Sequence, residues 1–448
     1  MMKMNEFIDV LLARAVESGL EAAEVYCQET DRFRAMAMNG SVDDYQVSTS
    51  CGLSLRGTVN GKMGYASTQA FDEAAIEQLI NGVKESAALV DAPEQDEIFA
   101  GEKEYPVLEE PETDLHEVTA DEKLACALAL CDAVTKADER IVQATHPTVS
   151  TVSGTTTLRN TYGLNLSYTE NVCFAYVGAL ARRGEGMTDG FYADFGRKFS
   201  QLDPAAIANE AARRALVNLD ATSVEAGEYR IIFDRESMCD LLQTFSGVFS
   251  AKAAQERMSL LGGKEGTEIA APIVTLMDDP LLPGGYESRP FDAEGSASVT
   301  KAVIENGVLK TLLHNRSTAR KQGVTTTGNA SRPDYASSVT VAPTNMFFKP
   351  GTKTLAELMA DMGDGLVITE VSGLHAGANP TSGDFSLLAK GYTVEGGKRG
   401  HAVEQITVAG NFYQVLKNIR AIGSDLFFPG SGIGSPSVDV GTLVVSGQ

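Results

Sequence analysis

The sequence predicts an α+β protein in two parts: an N-terminal α/β domain over residues 1–221, with helices packed on a sheet, and a mostly antiparallel β domain over residues 222–448. Helical and strand-like apolar patterns occur in separate blocks before residue 220. Short strand-like segments separated by Gly, Pro, Asn and Asp follow it. A chain of 448 residues is long enough for more than one hydrophobic core.

The N-terminal part begins with a helix and a group of strands. Residues 4–18 carry apolar side chains at helical spacing and end at a glycine, so they predict an amphipathic helix. Residues 24–68 have strand-like patterns, with Asn-Gly pairs at 39–40 and 60–61 that favour tight hairpin turns. Residues 71–90 return to a helical pattern.

An acidic, Pro-containing segment over residues 91–117 predicts an exposed loop. Thr119, followed three residues later by Glu122, predicts a capping box at the start of the next helix, which runs to about residue 137. Residues 141–199 predict strands with turns near Gly154, Gly163 and Gly184.

Asp203 followed by Pro204 predicts the start of a helix that continues to residue 219. The order helix, strands, helix therefore occurs twice, which indicates a possible internal duplication sharing one sheet. After residue 221 we expect a buried strand at 229–233, a helix at 235–251 and a helix near 354–362. The many short strands between and after these predict a barrel or a packed double sheet.

Composition excludes several classes of function. There are 37 Lys+Arg against 60 Asp+Glu, giving a formal charge of −23, and we find no basic stripe, so direct nucleic-acid binding is disfavoured. No long apolar run predicts a membrane span, and the N-terminus lacks the pattern of a secretion signal. Six cysteines without a C-x-x-C pair predict reduced thiols and a cytoplasmic protein.

Common catalytic signatures are missing from the sequence. The five histidines are at least 26 residues apart, so no helix can place two imidazoles one turn apart on a zinc ion. Four carboxylates, Asp278, Asp279, Asp292 and Glu294, lie among turn residues. They fix turns through hydrogen bonds to the backbone, help to shape a substrate cleft, or contribute oxygen ligands for a hard cation in an independent enzyme.

Two further segments are candidate contact sites. Residues 379–386 form a dense turn sequence in which Asn379 and Asp384 flank small residues, and it predicts either a structural turn or a binding loop. Residues 314–321 form a short basic patch, which predicts either a solvated surface or a site for a carboxylate or an acidic partner surface.

These blocks resemble the TldD/PmbA family, whose members are also known as putative modulators of DNA gyrase. The resemblance covers roughly residues 225–445, with several motifs in the family's order and spacing. The motifs are D-D-P at 278–280 with P-G-G at 283–285, F-D-A-E-G at 291–295, A-R-K at 319–321 with T-G-N-A at 327–330, and N-P-T-S-G-D-F-S at 379–386.

The family has two kinds of subunit, and the resemblance assigns this chain to the PmbA/TldE kind. The TldD kind carries H-E-x-x-x-H on a helix, with two zinc-binding histidines and a Glu general base. Here the corresponding positions are Gln243, Thr244 and Val248, and the late Cys ligand is also absent. The resemblance therefore implies no catalytic residue and no metal on this chain, with zinc on a TldD-type partner.

The implied function is that of a non-catalytic partner in a zinc metallopeptidase that processes short unfolded peptides. This chain would supply half of a heterodimer interface and one wall of the peptide cleft, with Asn379, Asp384 and Asp292 as substrate contacts. The main alternative is a homodimeric peptide-binding or regulatory protein without peptidase activity. An independent enzyme using the carboxylates with a hard metal is a further alternative.

Overall fold

The computed structural model describes residues 2–91, 96–109 and 111–447. The predicted acidic loop at 91–117 therefore falls partly outside the described residues, at 92–95 and 110. Its described parts contain no helix or strand before the helix that begins at Ala120. The α+β fold class is confirmed.

One antiparallel six-stranded sheet organises the first half, in the order β3-β2-β1-β4-β5-β6. Three consecutive strands form each side, and the two sides join where β1 pairs with β4. The strands are β1 (Ala22–Met38), β2 (Ser41–Val59), β3 (Lys62–Thr68), β4 (Ile141–Asn160), β5 (Asn165–Arg183) and β6 (Gly186–Gly196).

Four helices pack on one face of this sheet, two on each side of the β1–β4 junction. They are α1 (Met4–Glu17), α2 (Glu73–Ala88), α3 (Ala120–Lys136) and α4 (Pro204–Asn218). Val25 and Phe33 of β1 are buried beneath the helices. Because strand side chains alternate, Glu24, Tyr26 and Gln28 point to the opposite face. The helix–strands–helix order thus occurs twice around a shared sheet, as predicted.

The local signals at turns and caps are largely confirmed. Asn39 and Asn60 adopt positive φ values of 50° and 51° in the two hairpin turns. Thr119 and Glu122 form the capping box of α3. The turn predicted near Gly154 is wrong: this glycine lies inside β4, paired to β1 and β5, because the flanking Val and Thr residues favour a continuous strand.

The second half contains short strands, a closed barrel and six helices in the described part of the chain. The strands are β7 (Gly227–Phe233), β8 (Leu276–Asp278), β9 (Lys301–Glu305), β10 (Val308–Leu309), β11 (Ala330–Ser331), β12 (Thr340–Val341), β13 (Met346–Phe348), β14 (Gly365–Ser372), β15 (Asp384–Glu395), β16 (Lys398–Asn411), β17 (Ala421–Ile422), β18 (Ile433–Gly434) and β19 (Val438–Ser446). The helices are α5 (Arg235–Phe245), α6 (Ala251–Gln255), α7 (Arg316–Gln322), α8 (Leu355–Met362), α9 (Leu374–Gly377) and α10 (Phe412–Asn418).

The barrel closes through a ring of five strands, β16-β15-β14-β7-β19, because β16 also pairs with β19. All pairings in the ring are antiparallel except that between β7 and β14. A smaller sheet, β10-β9-β8-β13-β18, packs beside it, and both share one large core with α5. Among the helices of the described chain, none is both long and apolar enough to cross a membrane.

The two halves are joined by a mixed polar and apolar junction. Arg214 on α4 forms two hydrogen bonds of 2.7 Å to Glu236 on α5. Phe291 from the second half packs with Leu158 and Tyr168 on the free face of the first sheet. The face of the sheet opposite the helices is therefore partly covered by loops of the second half.

Candidate functional site

Helix α5 occupies the position where the resemblance places the metal-binding helix. It follows β7 directly, and Asp234 caps it by accepting hydrogen bonds from the backbone N–H groups of residues 236 and 237. The predicted helix over 235–251 is wrong in length, because α5 ends at Phe245 and a 3-10 turn continues to Phe249. Gly247 favours this break, and the Ser246 hydroxyl donates to the Gln243 carbonyl there.

The three positions of the zinc motif do not form a ligand set. Gln243 is exposed, and the Thr244 hydroxyl donates a 2.8 Å hydrogen bond to the Asp240 carbonyl oxygen. Val248 is buried in the apolar core and offers no donor atom. Across residues 2–91, 96–109 and 111–447, no group of three or more His, Cys, Asp and Glu side chains is arranged to hold a metal ion. The residues at α5 therefore do not fit a zinc ion.

The carboxylates at 278–294 are held by the fold. Asp278 is fully buried, with 2.8 Å contacts to Lys301 and to the Asn329 amide. Asp292 is also buried, and its two oxygens accept hydrogen bonds from the backbone N–H groups of residues 294, 296 and 330. These contacts match the interpretation that the carboxylates fix turns. The assignment of Asp292 to substrate binding stays a prediction.

Glu294 belongs to a buried ionic cluster at the junction, together with Glu24, Arg56 and Arg332. Glu24 accepts a 2.7 Å hydrogen bond from Arg56 and a 3.1 Å hydrogen bond from Arg332. Arg56 also lies 3.5 Å from Glu294. We name these four residues the junction cluster. It ties β1 and β2 to two loops of the second half.

Burial raises the pKa of several carboxyl groups, and Glu294 and Asp240 are two of them. Desolvation raises the pKa of Glu294 to about 7, although the nearby Arg56 guanidinium opposes the shift. Desolvation also raises the pKa of Asp240 on α5 to about 6, with repulsion from Glu236 and Glu370 acting in the same direction. Both groups therefore hold a proton at mildly acidic pH.

Glu294→Gln is expected to flatten the pH dependence of stability. A pKa raised from about 4.5 to about 7 means that the folded state binds the proton more tightly, so the associated stability is present below pH 4.5 and is lost as the pH rises through 7. Between pH 5.5 and pH 8 the wild type should lose about 2 kcal/mol through this group. Denaturant titrations at pH 5.5 and pH 8 measure this loss in the free energy of unfolding. If the free energy of unfolding of the variant changed with pH as much as that of the wild type, the raised pKa of Glu294 would be contradicted.

The basic patch at 314–321 forms the short helix α7, capped by Asn315. Arg316 donates a 2.7 Å hydrogen bond to Glu97, and Arg320 also pairs with Glu97. The patch therefore holds a carboxylate of this same chain, from the segment that follows residue 95. The buried His314 contacts the Thr318 hydroxyl at 3.3 Å.

The turn at 379–384 is largely exposed, and hydrogen bonds to its side chains stabilise it. Asn379 accepts hydrogen bonds from two backbone N–H groups, and Asp384 accepts a 2.8 Å hydrogen bond from Asn411. Gly383 is buried with φ of 84°, and a side chain there would meet the ring of Tyr413. An adjoining groove of about 470 Å³ is lined by polar and apolar residues of α10 and the loop at 260–269. The turn therefore borders a groove, and the assignments of Asn379 and Asp384 to substrate stay predictions.

One strand edge remains next to α5 despite closure of the barrel. Strand β7 pairs with β14 only at Leu366–Ile368, while β15 pairs with β14 up to Ser372. Within the described part of the chain, residues 370–372 therefore have a strand neighbour on one side only. Helix α5 packs against β14 and approaches α9, which leads into the 379–384 turn.

A cavity of about 230 Å³ lies between the free face of the first sheet and loops of the second half. It shares Gln28, Glu170 and Pro333 with a groove of about 420 Å³ that continues along the sheet. We call the two spaces the junction cavity and the sheet groove. The residues that line the junction cavity include Tyr26, Glu170, Glu287, Arg289, Asp292 and Arg332.

Sequence reasoning missed the charged residues of this junction. Arg289 stands two residues before the F-D-A-E-G motif, and Arg332 stands two residues after T-G-N-A. Their closeness to two motifs was an available signal. Glu24 and Arg56 lie directly opposite each other on paired strands, which only the correct strand register reveals.

A sheet with four helices on one face, joined to a half that contains a closed barrel, is an architecture that this chain shares with metallopeptidase-like proteins, although the residues of α5 do not fit a metal ion. Family profiles match residues 23–87 as PmbA/TldA metallopeptidase domain 1, residues 113–219 as the central domain and residues 226–447 as the C-terminal domain. The chain belongs to the TldD/PmbA family.

Relatives of this chain span nearly its whole length. It is 24% identical to the metalloprotease PmbA homolog of Haemophilus influenzae, covering 95% of this chain and 92% of the relative. It is 26% identical to metalloprotease PmbA of Escherichia coli O157:H7, covering 93% and 92%.

Solved structures share the whole fold. A candidate modulator of a DNA gyrase from Thermotoga maritima superposes with a TM-score of 0.92 at 33% identity, covering 99% of this chain and 100% of that one. TldE from Thermococcus kodakarensis superposes with a TM-score of 0.87 at 18% identity, covering 98% and 100%. The second likeness concerns the fold alone.

Proposed function

We propose that this chain is the non-catalytic, metal-free subunit of a TldD/TldE-type zinc metallopeptidase that processes short unfolded peptides. The observation that carries the proposal is α5, which keeps its cap and its buried core face but offers Gln243, Thr244 and Val248 where the metal-bearing subunit has its ligands and base. Helix α5 therefore packs in the core but offers neither the zinc ligands nor the general base.

The proposed division of labour assigns zinc and water activation to a TldD-type partner. This chain contributes part of the dimer interface and one wall of the peptide cleft. Residues 370–372 of β14, which lack a strand neighbour on one side, support this role, because an extended peptide can add to a strand edge through backbone hydrogen bonds without requiring one sequence. Asn379 and Asp384, on the turn that follows α9, are the proposed polar contacts.

The proposal is tested with the purified chain, a TldD-type partner and the two together. We expect no stoichiometric zinc and no peptide cleavage with the lone chain. Cleavage of an unfolded peptide by the complex should exceed that by either chain alone by at least about 100-fold, which corresponds to roughly 2.7 kcal/mol of transition-state stabilisation. Gln243→Ala is the matched control, and it should leave the rate of the complex within about twofold.

Two outcomes would contradict the proposal. Stoichiometric zinc with cleavage by the lone chain would make it an independent enzyme. Peptide binding by a homodimer, with no gain on adding the partner, would instead support a binding or regulatory protein. The oligomeric state of the lone chain and of the mixture, measured by light scattering, distinguishes these cases.

A further inference from the structure

The outer side of β2 lacks a strand neighbour over the first half of the strand. Strand β3 pairs with β2 only from Leu53 to Val59, whereas β1 pairs with the other side of β2 down to Ser41. Among the described residues, no backbone–backbone hydrogen bond reaches the outer side of residues 41–51. We call these residues the β2 edge segment. It presents a row of backbone donors and acceptors that another strand can use.

The faces of the β2 edge segment are exposed as well. All of residues 41–50 are exposed except Ser48, which is half-buried. Tyr45 is 58% exposed and Val47 is 65% exposed. These two side chains lie opposite Ala35 and Phe33 of β1, which are buried beneath the helices, so they point to the helix-bearing face of the sheet. Proteins normally protect a free edge with apolar side chains by Lys, Pro or a covering element, so this edge is suited to a further strand.

Charged side chains beside the β2 edge segment are unmatched. Arg32 of β1 and Asp44 of β2 are exposed, and neither forms an ion pair or a side-chain hydrogen bond with another residue in the described ranges of the chain. Arg32 lies opposite Ser48, whereas Asp44 lies opposite Met36. The positive charge is therefore near one end of the segment and the negative charge is near the other. A two-fold axis through the middle of the segment would bring each charge close to its opposite.

We propose that the β2 edge segment pairs with the same segment of a second copy of this chain, antiparallel and about a two-fold axis at Gln46. A strand of this length fills the gap between the turn at 39–40 and the start of β3 pairing at Leu53. The pairing supplies about ten backbone hydrogen bonds, which is the number in a typical protein interface. It concerns the chain by itself, so it goes beyond the proposed function and does not depend on it.

This register places compatible side chains opposite each other. Tyr45 lies opposite Val47 of the second copy on both sides of the axis, and an aromatic residue against a β-branched one is a favourable cross-strand pair. On the other face, Asp44 lies opposite Ser48 of the second copy, and the same row continues to Arg32 of that copy. Because neighbouring strands are about 4.8 Å apart, the backbones of Asp44 and Arg32 are roughly 10 Å apart, within reach of their side chains.

Light scattering of the full chain over a concentration series should show a dimer. Val47→Lys introduces a charge at the edge and should raise the dissociation constant of the dimer at least about tenfold. Met187→Lys is the matched control and should leave the dimer unchanged, because Met187 is an apolar residue, 51% exposed, on the opposite edge strand β6 of the same sheet. Circular dichroism with a thermal melt establishes that each variant is folded.

Arg32→Asp and Asp44→Arg test the predicted register. Each substitution alone brings two like charges together across the axis, so each should weaken the dimer severalfold. An equimolar mixture of the two variants pairs Asp with Arg on both sides of the axis, so it should recover the affinity of the wild type. A structural effect of either substitution within its own chain would give no recovery on mixing, and that result would overturn the register.

Gln46→Cys places two cysteines opposite each other at the axis. With diamide as the oxidant, which takes up the two thiol hydrogens, this variant should form a disulfide-linked dimer on a non-reducing gel. Ser48→Cys is the matched control on the same face, and its two copies would be separated by roughly 13 Å along the strands, too far for a disulfide. Equal cross-linking of both variants, or of neither, would contradict the register.

A chain that is monomeric at every concentration would overturn the proposal. If Val47→Lys then weakened binding of a TldD-type partner, the β2 edge segment would belong to the interface with that partner instead. A wild-type dimer that Val47→Lys leaves unchanged would use another surface, and it would also exclude edge pairing.

Discussion

Arg56→Met is expected to lower the free energy of unfolding by about 3–5 kcal/mol, the range for removing one partner of a buried ion pair. Arg56 and Glu24 are both completely buried, and the distance between Nε and Oε1 is 2.7 Å. The substitution keeps most of the aliphatic volume but leaves Glu24, among the residues that the structure describes, with a single 3.1 Å contact to Arg332. Denaturant titration of the full chain at pH 7 measures the loss.

The double variant Glu24→Gln/Arg56→Met separates charge from packing. It removes both charges of the pair, so it should be more stable than Arg56→Met alone, with a coupling energy above about 1 kcal/mol. A loss below about 1 kcal/mol in Arg56→Met would show that the cluster contributes little. Additive effects in the double variant would show that the two residues act independently.

This cluster also shows why the sequence predicts local structure better than it predicts the junction. The Asn-Gly turn at 39–40 correctly predicts that β1 and β2 form a hairpin. Counting back from the turn, however, would place Arg56 opposite Ala23, because Met38 pairs with Ser41. A bulge near residues 36–37 shifts the register by one, so Arg56 lies opposite Glu24 instead. Side-chain contacts that depend on such a shift are not visible in the sequence.

The capping signals succeed because they are short in range. The Thr119–Glu122 box spans three residues, and Asp203 accepts from the N–H groups just after Pro204. Closure of the barrel has no comparable signal, since it requires β16 near residue 408 to pair with β19 near residue 445. The sequence therefore predicts many short strands but leaves barrel and double sheet as alternatives.

The residues of the candidate site were likewise only partly predictable from the sequence. The motifs at 278–295 and 379–386 were visible in the sequence, and the structure shows what their side chains hold. The junction cavity was not visible, because β1, β5 and two loops more than 100 residues further along the chain form it together. Arg289 and Arg332 take part in it through tertiary contacts alone.

Phe245→Ala is expected to be the most damaging single change on α5, with a loss of about 3–5 kcal/mol. Phe245 is fully buried and stacks on Phe412, with ring centroids 4.7 Å apart and planes 10° from parallel. It also lies 6.2 Å from the ring of Phe385, so truncation opens a cavity between α5, α10 and the barrel. Thermal and denaturant unfolding of the variant measure the loss.

Gln243→Ala, two residues earlier on the same helix, is the matched comparison. Gln243 is exposed, so its truncation should change stability by less than about 0.5 kcal/mol. The contrast distinguishes two accounts of α5. If the helix serves only as a packing element, the buried face carries all of the sensitivity and the exposed position tolerates change. A large loss from Gln243→Ala, in stability or in the activity of the complex, would show that this exposed position has a role of its own.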